Sequence, residues 1–148
     1  MVAAASATPR DRTLPLPRLE QLTPVMVVDS VEPCIQFWVE RFGFVADNQV
    51  PGPDGRLIFA SAKKEGVEVM YQTRASVIEQ SPAQAGELDG HSIALFIRVA
   101  DLDAVERAVV GAPVVLPRHE TFYGTTELYV KEPGGNTVGF AQQLGGRS

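Results

Sequence analysis

The sequence predicts an α+β fold built from two tandem βαβββ modules. Three observations predict it. The first is an ungapped repeat at a spacing of 71 residues: Val28 matches Val99, Val31, Cys34 and Trp38 match Leu102, Val105 and Val109, and Gly66–Met70 matches Thr137–Ala141. Few letters agree between the copies, so the repeat is one of apolar pattern. The second is that each half carries one segment of helical period among several segments of strand length. The third is the punctuation between them by Pro, Gly, Asn and Asp.

The elements follow in order. Residues 1–20 are rich in Ala, Thr, Pro and charge without a usable period, which predicts a disordered N-terminal tail. Thr23–Val28 is a short apolar run read as a buried strand, with Pro24 confined to its start or to an edge. Asp29 or Ser30 is placed to cap a helix running to Phe42, whose stripe is Val31, Cys34, Ile35, Trp38 and Phe42, and Gly43 ends it. Phe44–Val50 and Leu57–Ala62 read as strands joined by the turn Pro51–Gly55, and Val67–Thr73 as a third strand after the turn at Lys63–Gly66. Residues 74–90 read as a linker with one helical turn near Val77–Gln80. The second module repeats the order: strand Ser92–Val99, helix Asp101–Val110 capped by Asp101, strand Pro113–Leu116, strand Thr125–Lys131, the turn Glu132–Asn136 and strand Thr137–Gln142. One domain over residues 21–145 is expected, with module 1 over about 22–73 and module 2 over about 91–143.

Composition narrows the function classes. The chain has 148 residues, 45% apolar and 21% charged, which suits one globular domain with a sizeable core. A net charge of −5 argues against nucleic acid or an anionic membrane as the main partner. Its one cysteine, Cys34, excludes an intrachain disulfide and a cysteine-rich zinc site, and fits a reducing cytoplasmic compartment. No run of 18 apolar residues is present, so no spanning helix is expected, and the start of the chain lacks the basic and apolar regions of a signal peptide.

Three segments carry a family resemblance. They are Asp29–Trp38 followed by Phe42-Gly43-Phe44, the strand Gly66–Gln72, and Tyr123-Gly124 with Leu128–Asn136, which contains the turn Glu132-Pro133-Gly134-Gly135-Asn136. With these, the chain resembles the vicinal oxygen chelate superfamily, which includes glyoxalase I, bleomycin-resistance proteins and extradiol dioxygenases. The resemblance spans about residues 22–143. It implies a curved mixed sheet whose concave face is a ligand cup, helices on the convex face, and a homodimer.

Strand parity then assigns faces. Val138 and Phe140 are bulky and belong to the core, so Gly139, Ala141 and Gln143 face the cup. By the repeat, Glu68, Met70 and Gln72 face it as well. Leu95, Ile97 and Val99 are core; Ala94, Phe96 and Arg98 face the cup, with Thr23, Val25 and Val27 as their counterparts. The resemblance places four metal ligands at points that match Thr23, Glu68, Ala94 and Gly139. Only Glu68 is a strong ligand, and one carboxylate cannot hold a catalytic ion. The expectation is therefore no metal and no cofactor.

The candidate ligand-binding residues are Glu68, Met70, Phe96, Arg98, Phe122 and Tyr123, with Glu68 also the candidate catalytic base. Arg98 suits an anionic ligand group, and Phe122 or Tyr123 a flat one. His91 and His119 read as loop residues, and Glu132 and Asn136 as turn-shaping ones. The function these residues favour is a metal-independent binder, resembling drug-sequestering bleomycin-resistance proteins, for an aromatic or cationic small molecule. The alternatives are a glyoxalase-like lyase, isomerase or dioxygenase, and a scaffold that uses the fold to dimerise.

Overall fold

The computed structural model describes residues 12–18, 20–82 and 93–145. Its first module comprises β1 (Val25–Val28), α1 (Glu32–Phe42), β2 (Val45–Pro51), β3 (Leu57–Lys64) and β4 (Val67–Thr73). A short helix, α2 (Arg74–Gln80), follows. The second module comprises β5 (Leu95–Arg98), α3 (Leu102–Ala108), β6 (Val114–Glu120), β7 (Thr125–Lys131) and β8 (Thr137–Gln143). Each module forms a four-stranded mixed sheet, in the orders β1-β4-β3-β2 and β5-β8-β7-β6. The opening strand lies parallel to the closing strand, and the other pairs are antiparallel. The fold class is the one the sequence predicts.

The core lies on the helix side of both sheets. Trp38, Cys34 and Val31 are fully buried, as are Leu102 of α3 and Val138 of β8. Ala60 and Ala62 of β3 are also fully buried, small residues on the strand against which α1 packs. The modules meet through this side. Phe42 stacks on Phe140 with ring centroids 5.3 Å apart. The Arg41 guanidinium donates to the carbonyls of Ala108 and Val110 at 3.1 and 2.6 Å. The Trp38 indole donates to the Tyr71 hydroxyl at 2.9 Å, and that hydroxyl donates to Glu132 at 2.6 Å. Glu132 also accepts from the backbone and side-chain nitrogens of Asn136 at 2.6 and 3.2 Å, so it shapes its own turn as expected. Gly134 is required by this packing: a Cβ there would come within 2.6 Å of Val28 and 3.1 Å of the Cys34 sulfur.

Several boundaries depart from the sequence reading. The N-cap of α1 is Val31, without a side-chain cap, not Asp29 or Ser30. Asp29 instead pairs with Arg74 at 3.4 Å, and the Ser30 carbonyl accepts from Cys34. The cap by Asp101 holds, with its carboxylate accepting from the Asp103 and Ala104 amides. The helical turn in the linker is a seven-residue helix capped by Thr73. Strand β6 runs on to Glu120, which puts His119 on a strand and not in a loop. Register shifts on either side of Leu116 bend β6, which breaks the alternation that would have marked it as a strand.

The repeat also needs a correction. Opening strands and helices obey the 71-residue spacing, but the closing strands do not. Val25 pairs with Met70 while Phe96 pairs with Gly139, so β4 and β8 are related by 69. The shortening arises before β7: Phe59 pairs with Gln72 and Glu127 with Ala141, so β3 and β7 are related by 68, and the longer turn at Glu132–Asn136 restores one residue. An even slip keeps every side chain on its predicted face but moves it along the strand. Among the described residues no helix is long and apolar enough to cross a membrane. Residues 1–11 and 19 of the tail and 83–90 of the linker fall outside the described residues.

Candidate functional site

The face of the first sheet opposite α1 carries Val25 and Val27 from β1, Glu68, Met70 and Gln72 from β4, and Ser61 and Lys63 from β3, as the ladders require. Glu68 accepts from the Gln21 amide at 2.7 Å and from Thr23 at 3.5 Å. Lys63, its neighbour across the ladder, pairs with Asp47 at 3.5 Å. Gln72 donates to Ser76 and Gln80 of α2. Among the described residues the buried Ser61 hydroxyl has no hydrogen-bond partner.

The matching face of the second sheet is organised in rows. Arg98, Ala141, Glu127 and His119 lie abreast across the four strands, and Phe96, Gly139, Tyr129 and Leu116 form the adjacent row. Glu127 is 1% exposed, yet its carboxylate is ringed by hydroxyls. Thr125 donates at 2.7 Å, Tyr129 at 3.0 Å and Tyr123 at 3.2 Å. Burial pushes the Glu127 carboxyl up, but these hydroxyls and the nearby His119 outweigh it, so it titrates below its ordinary value. Its partners move the other way. Tyr129 is pushed up to about 12, first by desolvation and then by Glu127, and Tyr123 is raised for the same reasons. Glu127 therefore stays ionised while both phenols keep their protons.

Gly139 has a specific role in this arrangement. Tyr129 lies over it so closely that a Cβ at position 139 would collide with the ring. The same Tyr129 side chain carries the hydroxyl that meets Glu127. The same fact decides whether the metal implied by the family resemblance fits here. Of the four corresponding points, Thr23 already bonds Glu68, Ala94 and Gly139 have no side-chain donor, and the space at Gly139 is taken by an aromatic ring. Among the described residues, no group of three or more His, Cys, Asp and Glu could hold an ion. The residues do not fit the metal.

The faces predicted for Glu68, Met70, Phe96 and Arg98 follow from the observed ladders. Glu68 and Met70 are on one sheet, Phe96 and Arg98 on the other. Phe122 and Tyr123 sit in the turn before β7, in edge-to-face contact at 5.0 Å; Phe122 is 99% exposed and Tyr123 58%. His91 lies outside the described residues. The sequence reading missed Glu127, Tyr129 and Thr125. The signal was present in Thr125-Thr126-Glu127-Leu128-Tyr129: strand parity puts Thr125, Glu127 and Tyr129 on the face opposite the core residue Leu128.

Residues 18–140 match the model of the glyoxalase/bleomycin resistance protein/dioxygenase superfamily. An uncharacterised protein of Mycobacterium tuberculosis is 32% identical over 132 residues, covering 83% of this chain and 74% of that one. A glyoxalase/bleomycin resistance protein/dioxygenase family enzyme from Burkholderia phytofirmans superposes with a TM-score of 0.68 at 19% identity, over 82% of this chain and 97% of its own. TioX from a Micromonospora species superposes with a TM-score of 0.65 at 20% identity, over 84% and 99%. At these identities the two solved structures show a common fold.

Proposed function

Because this chain belongs to the glyoxalase/bleomycin resistance protein/dioxygenase superfamily, we propose that it is a metal-independent small-molecule-binding protein whose ligand rests on the sheet faces opposite the helices. The observation that carries this reading is Tyr129 lying over Gly139. A metal-dependent member needs a carboxylate where this chain has an aromatic ring on a glycine. What remains is a surface suited to binding. Phe96 is 56% exposed and Val25 48%, on the opening strands, with Met70 half-buried beside Val25. Apolar area of this kind, with a few placed polar groups, gives burial and orientation without turnover.

The same reading makes the protein a homodimer. The contacts that join the modules within the chain lie on the helix side, so both ligand faces stay open to a second copy. Elemental analysis of protein incubated with nickel, zinc, iron and manganese and then dialysed tests the first part. Less than a tenth of an equivalent is expected, as an order of magnitude, and near-stoichiometric metal refutes the reading. Light scattering after gel filtration tests the second, and a monomer at working concentration refutes the homodimer.

A further inference from the structure

The caged carboxylate on the second sheet specifies more than the family fold does. Glu127 is buried and ionised, yet among the described residues no Lys, Arg or His nitrogen lies within ion-pair distance of it. Three hydroxyls donate to it, and the nearby His119 adds to their effect. A hydroxyl has one proton and two acceptor lone pairs. Tyr123, Tyr129 and Thr125 each spend that proton on Glu127. The Thr121 hydroxyl lies 2.8 Å from that of Thr125 and also donates to the Thr125 carbonyl at 3.2 Å. What the two phenols can offer outward is therefore lone pairs, with a full negative charge directly behind them. Such a surface repels anions, gives nothing to a ligand that only accepts, and attracts a donor that carries positive charge.

Aromatic surface lies alongside. Phe122 and Tyr123 form an exposed edge-to-face pair at one end, and Phe96 stands beyond Gly139 in the row of Tyr129. Ring faces near a negative centre add to the attraction for an ammonium group.

We propose that the hydroxyl cage of Glu127, with the Phe122–Tyr123 pair, selects a protonated amine carried on an aromatic or apolar body. This rests on the small-molecule reading above and names the ligand class. Arg98 stands in the same row, separated from Glu127 by Ala141, and is exposed. It is the residue that would favour a carboxylate ligand instead, so the two polarities can be told apart.

Three probes of one shape separate them: phenethylammonium, 2-phenylethanol and 3-phenylpropionate, each titrated into isotope-labelled full-length protein and followed by amide chemical shifts. The ammonium probe should bind about tenfold more tightly than the alcohol, with shifts centred on β7 and the Phe122–Tyr123 turn. Tyr123→Phe removes one outward lone pair at an exposed position and should cost the ammonium several-fold more than it costs the alcohol. Glu127→Gln should erase the preference altogether. Equal binding of ammonium and alcohol on these faces, or a preference for the carboxylate, overturns the inference and leaves the small-molecule reading standing. Binding by none of the three overturns both. If Glu127→Gln does not fold, Tyr123→Phe decides alone: an unchanged ammonium-to-alcohol ratio shows that the cage only anchors its loop.

Discussion

Tyr71→Phe is the sharpest test of how the two modules are held together. The Tyr71 side chain is fully buried. Its hydroxyl accepts from the Trp38 indole at 2.9 Å and donates to Glu132 at 2.6 Å. Removing one oxygen breaks both bonds and barely changes the packing. The bond to Glu132 has a carboxylate acceptor, a class worth ~1.5–3 kcal/mol. The indole N–H is then left buried without a partner, at a cost of ~1–3 kcal/mol. The two terms share one atom and will not add fully, so a loss of about 3 kcal/mol is expected. For a domain of this size that is roughly a 10 °C fall in melting temperature. Urea unfolding by tryptophan fluorescence measures it, because Trp38 is the sole tryptophan and a member of the relay. A loss below about 1 kcal/mol would show that water replaces the hydroxyl and that the relay does not fasten the modules. The double variant with Glu132→Gln should destabilise by clearly less than the sum of the single changes.

Other consequences can be measured alongside. Gly134→Ala forces the turn off Val28 and Cys34 and should cost ~1–3 kcal/mol, as overpacking does; an unchanged urea midpoint would mean the turn shifts freely. The Cys34 thiol is buried and pushed up to about 12, first by desolvation and then by Glu132. It should resist thiol reagents in native protein and react only at the rate of unfolding, so fast labelling of the folded state contradicts its placement. The tyrosines give a pH signature. Tyr129 and Tyr71 are raised above the ordinary phenol value, chiefly by burial. A raised folded value means that their stabilisation is full below about pH 10 and is lost as pH climbs toward about 12. Absorbance at phenolate wavelengths should therefore rise together with loss of structure, and ionisation of all three tyrosines near the ordinary value with the fold intact would refute it.

The fold was legible because both of its periods survive in the letters. The stripe from Val31 to Phe42 alternates at helical spacing, and β4 and β7 begin and end where the sequence placed them. Gly43 was readable as a helix stop because the left-handed backbone there, φ 74°, is what a glycine supplies at a helix end. The helix cap was misread because a capping side chain is only a propensity, and Asp29 found a partner in Arg74. Strand β6 was cut short because Pro117, Arg118 and His119 resemble a loop, and its register shifts hide the alternation. The site was half legible. Parity gave faces but not neighbours, since the row that aligns Arg98, Glu127 and His119 depends on registers that no single strand reveals.

The glycine at 139 and the carboxylate at 127 belong to one arrangement. Tyr129 and Glu127 are two apart on one strand, so their side chains leave the same face of the sheet. A phenol ring standing upright there would carry its hydroxyl away from the carboxylate. It can lean across only where the neighbouring strand offers no side chain, and Gly139 is its ladder partner. Any Cβ at 139 lifts the ring, removes one of the three hydroxyl donors of Glu127, and leaves its buried charge less compensated. Gly139→Ala should therefore raise the Glu127 pKa toward its ordinary value as well as loosen the ring, a coupling that carbon-13 titration of the carboxylate would read directly. A Glu127 titration unmoved by Gly139→Ala would separate the two residues and leave Gly139 as a packing position only. The metal-binding members require a carboxylate on the strand where this chain needs none. One position thus cannot serve both a metal ligand and the hydroxyl cage.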